Sequence, residues 1–212
     1  MKGGDKEFAL KQFDVSRETI GRLEVYEKLL LKWSKVKNLV APSTLSGLWM
    51  RHFVDSLQLL PIARDYGQAL RWIDMGAGAG FPGLVLAMAL ADQPEAKVYL
   101  VESDHRKCAF LREVSRETGI RTEIVNERVE NVVGNLPAAD CITARALAPL
   151  AQLIEYALPQ LEKGAVGLFP KGQHIDTELT NNTIFSRVNL SFVPSFTGEK
   201  SRIMVVRLHS EA

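Results

Sequence analysis

From Ser16 onward the apolar residues Ile20, Leu23, Tyr26, Leu30 and Trp33 recur three or four positions apart, with Leu29 and Val36 beside them. That period predicts a helix with one buried stripe. Ser16 stands where an N-cap accepts a free backbone N–H, and Glu18 falls in the first turn, where the helix dipole favours an acid. Residues 1–14 show no such period and read as a loose start. Pro42 closes the helix, Ser43 is placed to cap a short one reaching about Met50, and RHFVDSLQLL reads as another that Pro61 ends or kinks. The first 66 residues are therefore expected to form a helical extension ahead of a domain spanning 67–212.

After this stretch the pattern alternates. Short apolar runs at 71–74, 97–103, 121–126, 140–144 and 165–169 read as strands. Between them, LVLAMALA, His105–Thr118 and 147–161 read as helices, with a brief helical piece at 128–133 and a weak one at 173–181. In His105–Thr118 the inward residues are Cys108, Phe110, Leu111 and Val114, and Gly119 is the C-terminal stop. Runs 187–196 and 201–208, joined by Thr197-Gly198, form a terminal hairpin. Strands alternating with helices imply an α/β fold, a Rossmann-like parallel sheet with right-handed crossovers, to which the hairpin adds an antiparallel strand.

The first strand runs into RWIDMGAGAGFPG, with glycine at 76, 78, 80 and 83. Strand, glycine turn and helix open a nucleotide-binding sheet: glycines turn tightly and let a ligand approach the backbone. Gly78-x-Gly80-x-x-Gly83 matches the dinucleotide fingerprint, a weak signal taken alone. Asp74, expected at the mouth of the loop, would repel a pyrophosphate and attract an ammonium or sulfonium, which favours S-adenosylmethionine over NAD. Glu102 ends the second strand, where an acid accepts the ribose hydroxyls of an adenosine; both cofactors satisfy it.

Other strand ends carry polar residues. Backbone N–H groups and short side chains of Asn126-Glu127-Arg128-Val129-Glu130 are expected beside the adenine edge, although Glu130 also suits a plain helix start. Arg145 follows the fourth strand at the mouth of a cleft, either facing an acceptor or paired to a carboxylate. Lys171 ends the fifth, either touching a phosphate or solvated. Lys35, Lys37, Arg51 and His52 flank one polar turn, a solvated face or part of an RNA-facing surface.

Composition narrows the class. The chain has 212 residues, 46% hydrophobic, with a net charge of +1. No apolar run is long enough for a membrane span, and MKGGDKEFAL lacks the apolar core of a secretory signal. A cytoplasmic protein is expected. Cys108 and Cys141 are too few for a disulfide framework or a zinc site and read as small core residues.

WSKVKNLVAPS, RHFVDSL, IDMGAGAGFPGLVLA, VESDHRKCAFL, RVE, TARALAPL and PKG occur in the order seen in the RsmG (GidB) family. The sequence resembles that family over roughly residues 20–208. The resemblance implies a Rossmann-like class I S-adenosylmethionine-dependent methyltransferase domain behind an N-terminal helical extension. The activity it implies is methylation of N7 of one guanine in 16S ribosomal RNA, on the RNA or the small ribosomal subunit; a monomer is expected. By position it also implies cofactor roles for Gly76, Phe81, Val129, Glu130 and Arg145, beside Gly78 and Glu102 from the fold. Val40, and His105-Arg106-Lys107 in place of a more lysine-rich run, depart from the family pattern.

Guanine N7 attacks through an in-plane lone pair and loses no proton, so this chemistry needs alignment and no general base. That matches a sequence without a Ser/His/Asp set, a Cys nucleophile or a paired acid and base. The rivals are a non-catalytic RNA-binding factor, disfavoured by the intact loop with Glu102 and Arg145, and an NAD-dependent reductase, disfavoured by Asp74 and by the lack of a Tyr-x-x-x-Lys pair.

Overall fold

A computed structural model describes residues 6, 13, 15–35, 39–173, 175–179 and 183–209. The expectations for Val36, Lys37, His174 and most of the first fourteen residues lie outside that set. Seven strands form one sheet: β1 (Arg71–Met75), β2 (Lys97–Val101), β3 (Thr122–Val125), β4 (Cys141–Thr143), β5 (Val166–Lys171), β6 (Val188–Pro194) and β7 (Arg202–Leu208), in the order β3-β2-β1-β4-β5-β7-β6. The first five pair in parallel; β7 runs antiparallel between β5 and β6. The order reverses between β2 and β4 around β1, so the switch point where α/β proteins bind ligands lies at the end of β1.

Among the described residues, α-helical pieces surround the sheet: α1 (Arg17–Ser34), α2 (Asp55–Leu57), α3 (Leu59–Arg64), α4 (Gly83–Ala89), α5 (His105–Thr118), α6 (Val129–Val132), α7 (Leu150–Leu161) and α8 (Ile175–Glu178). Ser16 caps α1 as expected, accepting the Thr19 N–H, and Gly119 ends α5 in the left-handed conformation. α1 packs on the body through Leu23, Tyr26 and Leu30, which share one apolar cluster with Leu84, Val98 and Phe110. Polar contacts reinforce the docking: the Thr19 hydroxyl donates to Met88 O, and Trp33 Nε1 to Glu113. Arg22 reaches Asp92 and Lys32 reaches Glu113. Part of the charged face of α1 is thus occupied by docking to the body.

Three boundaries differ from the sequence expectation. The segment after Pro42 is a 3-10 helix (Pro42–Gly47) followed by a π-helical stretch (Trp49–Val54). Trp49, His52, Phe53 and Val54 are all buried there, too wide a band for a one-stripe α-helix. Pro61 does not end the helix, which is interrupted one turn earlier, at Gln58 between α2 and α3. It is the third residue of α3, in the first turn, where a missing N–H goes without a partner anyway. α7 starts at Leu150 instead of 147, because Pro149 holds the residue before it out of helical geometry.

Candidate active site

Two glycines of the turn after β1 have a steric reason to be glycine. Gly80 lies at φ +96°, and a Cβ there would stand 2.3 Å from Leu84. A Cβ on Gly83 would lie 2.2 Å from Leu100 and 2.6 Å from Asp74 Oδ2. Here the expectation for Asp74 needs correction. Alternation along β1 puts it on the same face as Trp72, under α4, so it is wholly buried and not at the mouth of the loop. Its Oδ2 accepts the Gly83 N–H at 2.8 Å, while Oδ1 has no hydrogen-bond partner among the described residues. Burial raises its pKa to about 7, with Glu102 adding repulsion against the opposing pull of Gly83 N–H and Arg145. Asp74 ties the loop to α4, and the charge argument for a sulfonium loses its basis.

Glu102 is where the sequence predicts. Its carboxylate accepts Gly78 N–H at 2.9 Å and Asp104 N–H at 2.8 Å, with Lys107 at 3.9 Å. Each oxygen keeps acceptor capacity for a further donor. It faces a cleft of about 370 Å³, also lined by Gly76, Val101, Val129, Glu130 and Leu147. These residues fit an adenosine-bearing cofactor: an acid for hydroxyls, apolar walls for a ring, and a glycine that leaves the backbone open. Asn126 does not line this cleft; its Nδ2 donates to the carbonyls of Glu102 and Ser103. Gly78 contributes its N–H to Glu102. Phe81 is buried beneath the loop, stacked on Tyr26 at 5.1 Å and tilted against His52 at 4.7 Å, and lines neither this cleft nor the cavity beyond.

Ala146, Leu147 and Ala148 line this cleft and also a larger cavity of about 820 Å³. Ala146 has φ +54°, a left-handed conformation that alanine adopts at a cost. Four cationic side chains of the cavity, Arg51, Arg145, Lys171 and Arg202, outnumber its two carboxylates, Asp55 and Glu178. The net charge of +1 is therefore unevenly spread.

Arg145 is neither free nor simply ion-paired. Its guanidinium donates to Arg51 O at 3.1 Å, meets His52 Nδ1 at 2.7 Å and Asp55 at 3.4 Å, and stands 5.0 Å from the Phe81 ring centre. Burial, with Arg145 and Arg51 beside it, lowers the His52 pKa to about 3. The imidazole is therefore neutral. With Nδ1 accepting from Arg145, its Nε2–H donates to Thr44 at 2.9 Å, and Thr44 donates onward to Ala41 O. Asp55 Oδ1 accepts from Thr197 at 2.7 Å and Gln58 at 2.9 Å, and Gln58 Oε1 accepts the Phe196 N–H. His52, Asp55 and Gln58 thus fasten the helical extension to Arg145 and to the β6–β7 turn. Their spacing of three along RHFVDSLQ marks one helix face, the signal that could have singled them out.

Two expectations for a basic RNA surface are corrected. His52 is buried and neutral. Lys171 is held by Glu178 at 2.7 Å and Ala148 O at 3.0 Å, with its side chain only 10% exposed. Glu178 also accepts the Leu150 N–H at 2.6 Å. The pair braces the start of α7 instead of waiting in solvent. Arg51 and Lys35 are exposed.

The strand order, with five parallel strands and a final antiparallel hairpin, is that of the class I S-adenosylmethionine-dependent methyltransferases. Solved structures that resemble the chain include a Podospora anserina methyltransferase bound to S-adenosylhomocysteine (TM-score 0.58, 15% identity, covering 96% of this chain and 93% of that one). Another is a mutant of MtNAS in complex with S-adenosylmethionine (TM-score 0.59, 15% identity, 97% and 84%). The profile of the family described as GidB, rRNA small subunit methyltransferase G, matches residues 19–204, and the chain belongs to that family. It is 46% identical over 197 residues to the ribosomal RNA small subunit methyltransferase G of Methylorubrum extorquens, covering 93% of this chain and 92% of that one. To its namesake in a Bradyrhizobium species it is 48% identical over 206 residues, 95% and 90%.

Proposed function

We propose that this enzyme methylates N7 of a guanine in 16S ribosomal RNA, with S-adenosylmethionine as methyl donor. The observation that carries this reading is the adjacency of the two clefts, which share Ala146, Leu147 and Ala148 and so set a small cofactor cleft beside a cavity with more cations than carboxylates. S-adenosylmethionine supplies an activated methyl group. Glu102 is assigned to the ribose hydroxyls, Gly76 and Gly78 to the open backbone beside them, and Val129 and Glu130 to the far wall. Phe81 and Arg145 act from the other side of the loop: Phe81 supports it from below, and Arg145 stands over Phe81 at the cavity.

His52, the imidazole of the cavity, is not poised to take a proton. Both nitrogens of His52 are engaged and its pKa is far below neutrality. An acceptor with a free lone pair suits this site, whereas an amine or hydroxyl would need a base. Residues 1–66 serve as an RNA-facing extension of the methyltransferase unit at 67–212, and the enzyme acts as a monomer in the cytoplasm. Rescue of a strain lacking the gene tests the assignment: 16S rRNA should regain a guanine that, after borohydride reduction, is cleaved by aniline. Modification of an exocyclic nitrogen or a ribose oxygen would overturn it. Glu102→Ala should weaken S-adenosylhomocysteine by about 1.5–3 kcal/mol in calorimetry, for lost charge-assisted hydrogen bonds.

A further inference from the structure

Among the described residues, five large apolar side chains are exposed: Tyr66, Leu147, Leu179, Phe192 and Phe196. The two phenylalanines belong to the β6–β7 hairpin, 55% and 64% exposed. Phe192 lies opposite Met204 near the turn end of the edge strand, and the Arg202 guanidinium stands 4.7 Å from its ring centre. Arg202 itself lines the large cavity and is oriented by Asp176 at 2.9 Å. Phe196 sits between Ser195 and Thr197, which both line the cavity. Phe13 meets its ring edge-on at 5.9 Å and leaves most of it uncovered.

The turn that presents Phe196 is pinned. Gln58 accepts the Phe196 N–H at 2.9 Å and contacts the Ser195 hydroxyl, and Thr197 donates to Asp55 at 2.7 Å. An aromatic ring held in water by a fastened backbone cannot retreat into the core, so its exposed apolar area stays available to a partner. An exposed ring under an arginine and a second exposed ring in the adjoining turn, both beside a cavity with more cations than carboxylates, have the composition that holds single-stranded nucleic acid, through stacking on the bases and attraction to the phosphates.

We infer that the turn end of the β6–β7 hairpin is a stacking platform for unpaired RNA bases flanking the methylated guanine, with Phe196 and the Phe192–Arg202 pair as its elements. This inference rests on the RNA-methyltransferase reading above. It assigns to the hairpin a role in gripping substrate, separate from the chemistry at the junction of the two clefts.

The test compares the wild type with Phe192→Ala/Phe196→Ala and with Phe192→Trp/Phe196→Trp. The probes are an RNA 12-mer of adenylates, an abasic 12-mer of equal charge, and unmodified 16S rRNA. The wild type should bind the adenylate oligomer more tightly than the abasic one. The alanine variant should lose that preference and at least about tenfold in affinity, as expected when bases lose aromatic partners. The tryptophan variant should keep both, and S-adenosylhomocysteine affinity and melting temperature should stay at wild-type values. An alanine variant with wild-type RNA affinity and wild-type KM for 16S rRNA overturns the platform while the methyltransferase reading stands. Failure of the wild type itself to methylate 16S rRNA overturns that reading instead. A wild-type dimer in sedimentation that the alanine variant loses would assign the rings to a second copy of the chain, and so also overturns the platform.

Discussion

At the scale of single residues, Asp74 combines complete burial, one satisfied oxygen and one unsatisfied oxygen. Its folded pKa of about 7 lies above the ordinary carboxylate value. Between about pH 4 and pH 7 the unfolded chain has released a proton that the folded chain still holds, so stability falls as pH rises through that window. Asp74→Asn removes this dependence. Relative to the variant, the wild type should lose up to about 3 kcal/mol from pH 4.5 to pH 8, an upper limit for a shift of this size. Urea unfolding of both proteins at several pH values measures it, and parallel curves would show that Asp74 does not titrate there. The carboxylate was visible in the sequence, but its direction was not: one position along a strand decides between the mouth of the loop and the underside of α4.

At the scale of elements, the β1–α4 junction depends on Gly83. Its missing Cβ makes room for Leu100 and for the Asp74 carboxylate. Gly83→Ala should cost about 2–3 kcal/mol through overpacking, read as a lower urea midpoint with an unchanged slope. An unchanged midpoint would mean the junction can relax. Strand, turn and helix were legible here because glycine spacing and apolar runs are local signals. The wiring of Arg145 was not, since its partners are Arg51, His52 and Asp55, some ninety residues earlier in the chain. No sequence period reports such neighbours. Lys171 was misread for a related reason: its partner Glu178 lies just ahead, but only the return of the chain after β5 turns the two together.

At the scale of the whole molecule, RNA affinity should come from local concentration of charge, given a net charge of +1. Lys35→Glu/Arg51→Glu should weaken binding of 16S rRNA and flatten its log–log salt dependence by roughly one unit per lost phosphate contact. Cofactor affinity should not change. Lys171→Ala should instead lower the melting temperature, because it strands Glu178 at the start of α7. A salt slope equal to that of the wild type in the double variant would return Lys35 and Arg51 to a solvated face. With no group in the cavity required to ionise, single-turnover rates at saturating cofactor and RNA should be level from about pH 7.5 to pH 9. A tenfold rise per pH unit there would reveal a general base.

The walls of the large cavity come from residues 44–55, 145–149, 170–172 with Glu178, and 195–202, four stretches that meet only in the folded protein. The cofactor cleft is likewise closed by Val129, Glu130 and Leu147 as well as by Gly76 and Glu102. Local opening of any one of these stretches removes a wall. The grip on RNA is therefore only as durable as the loosest of the four.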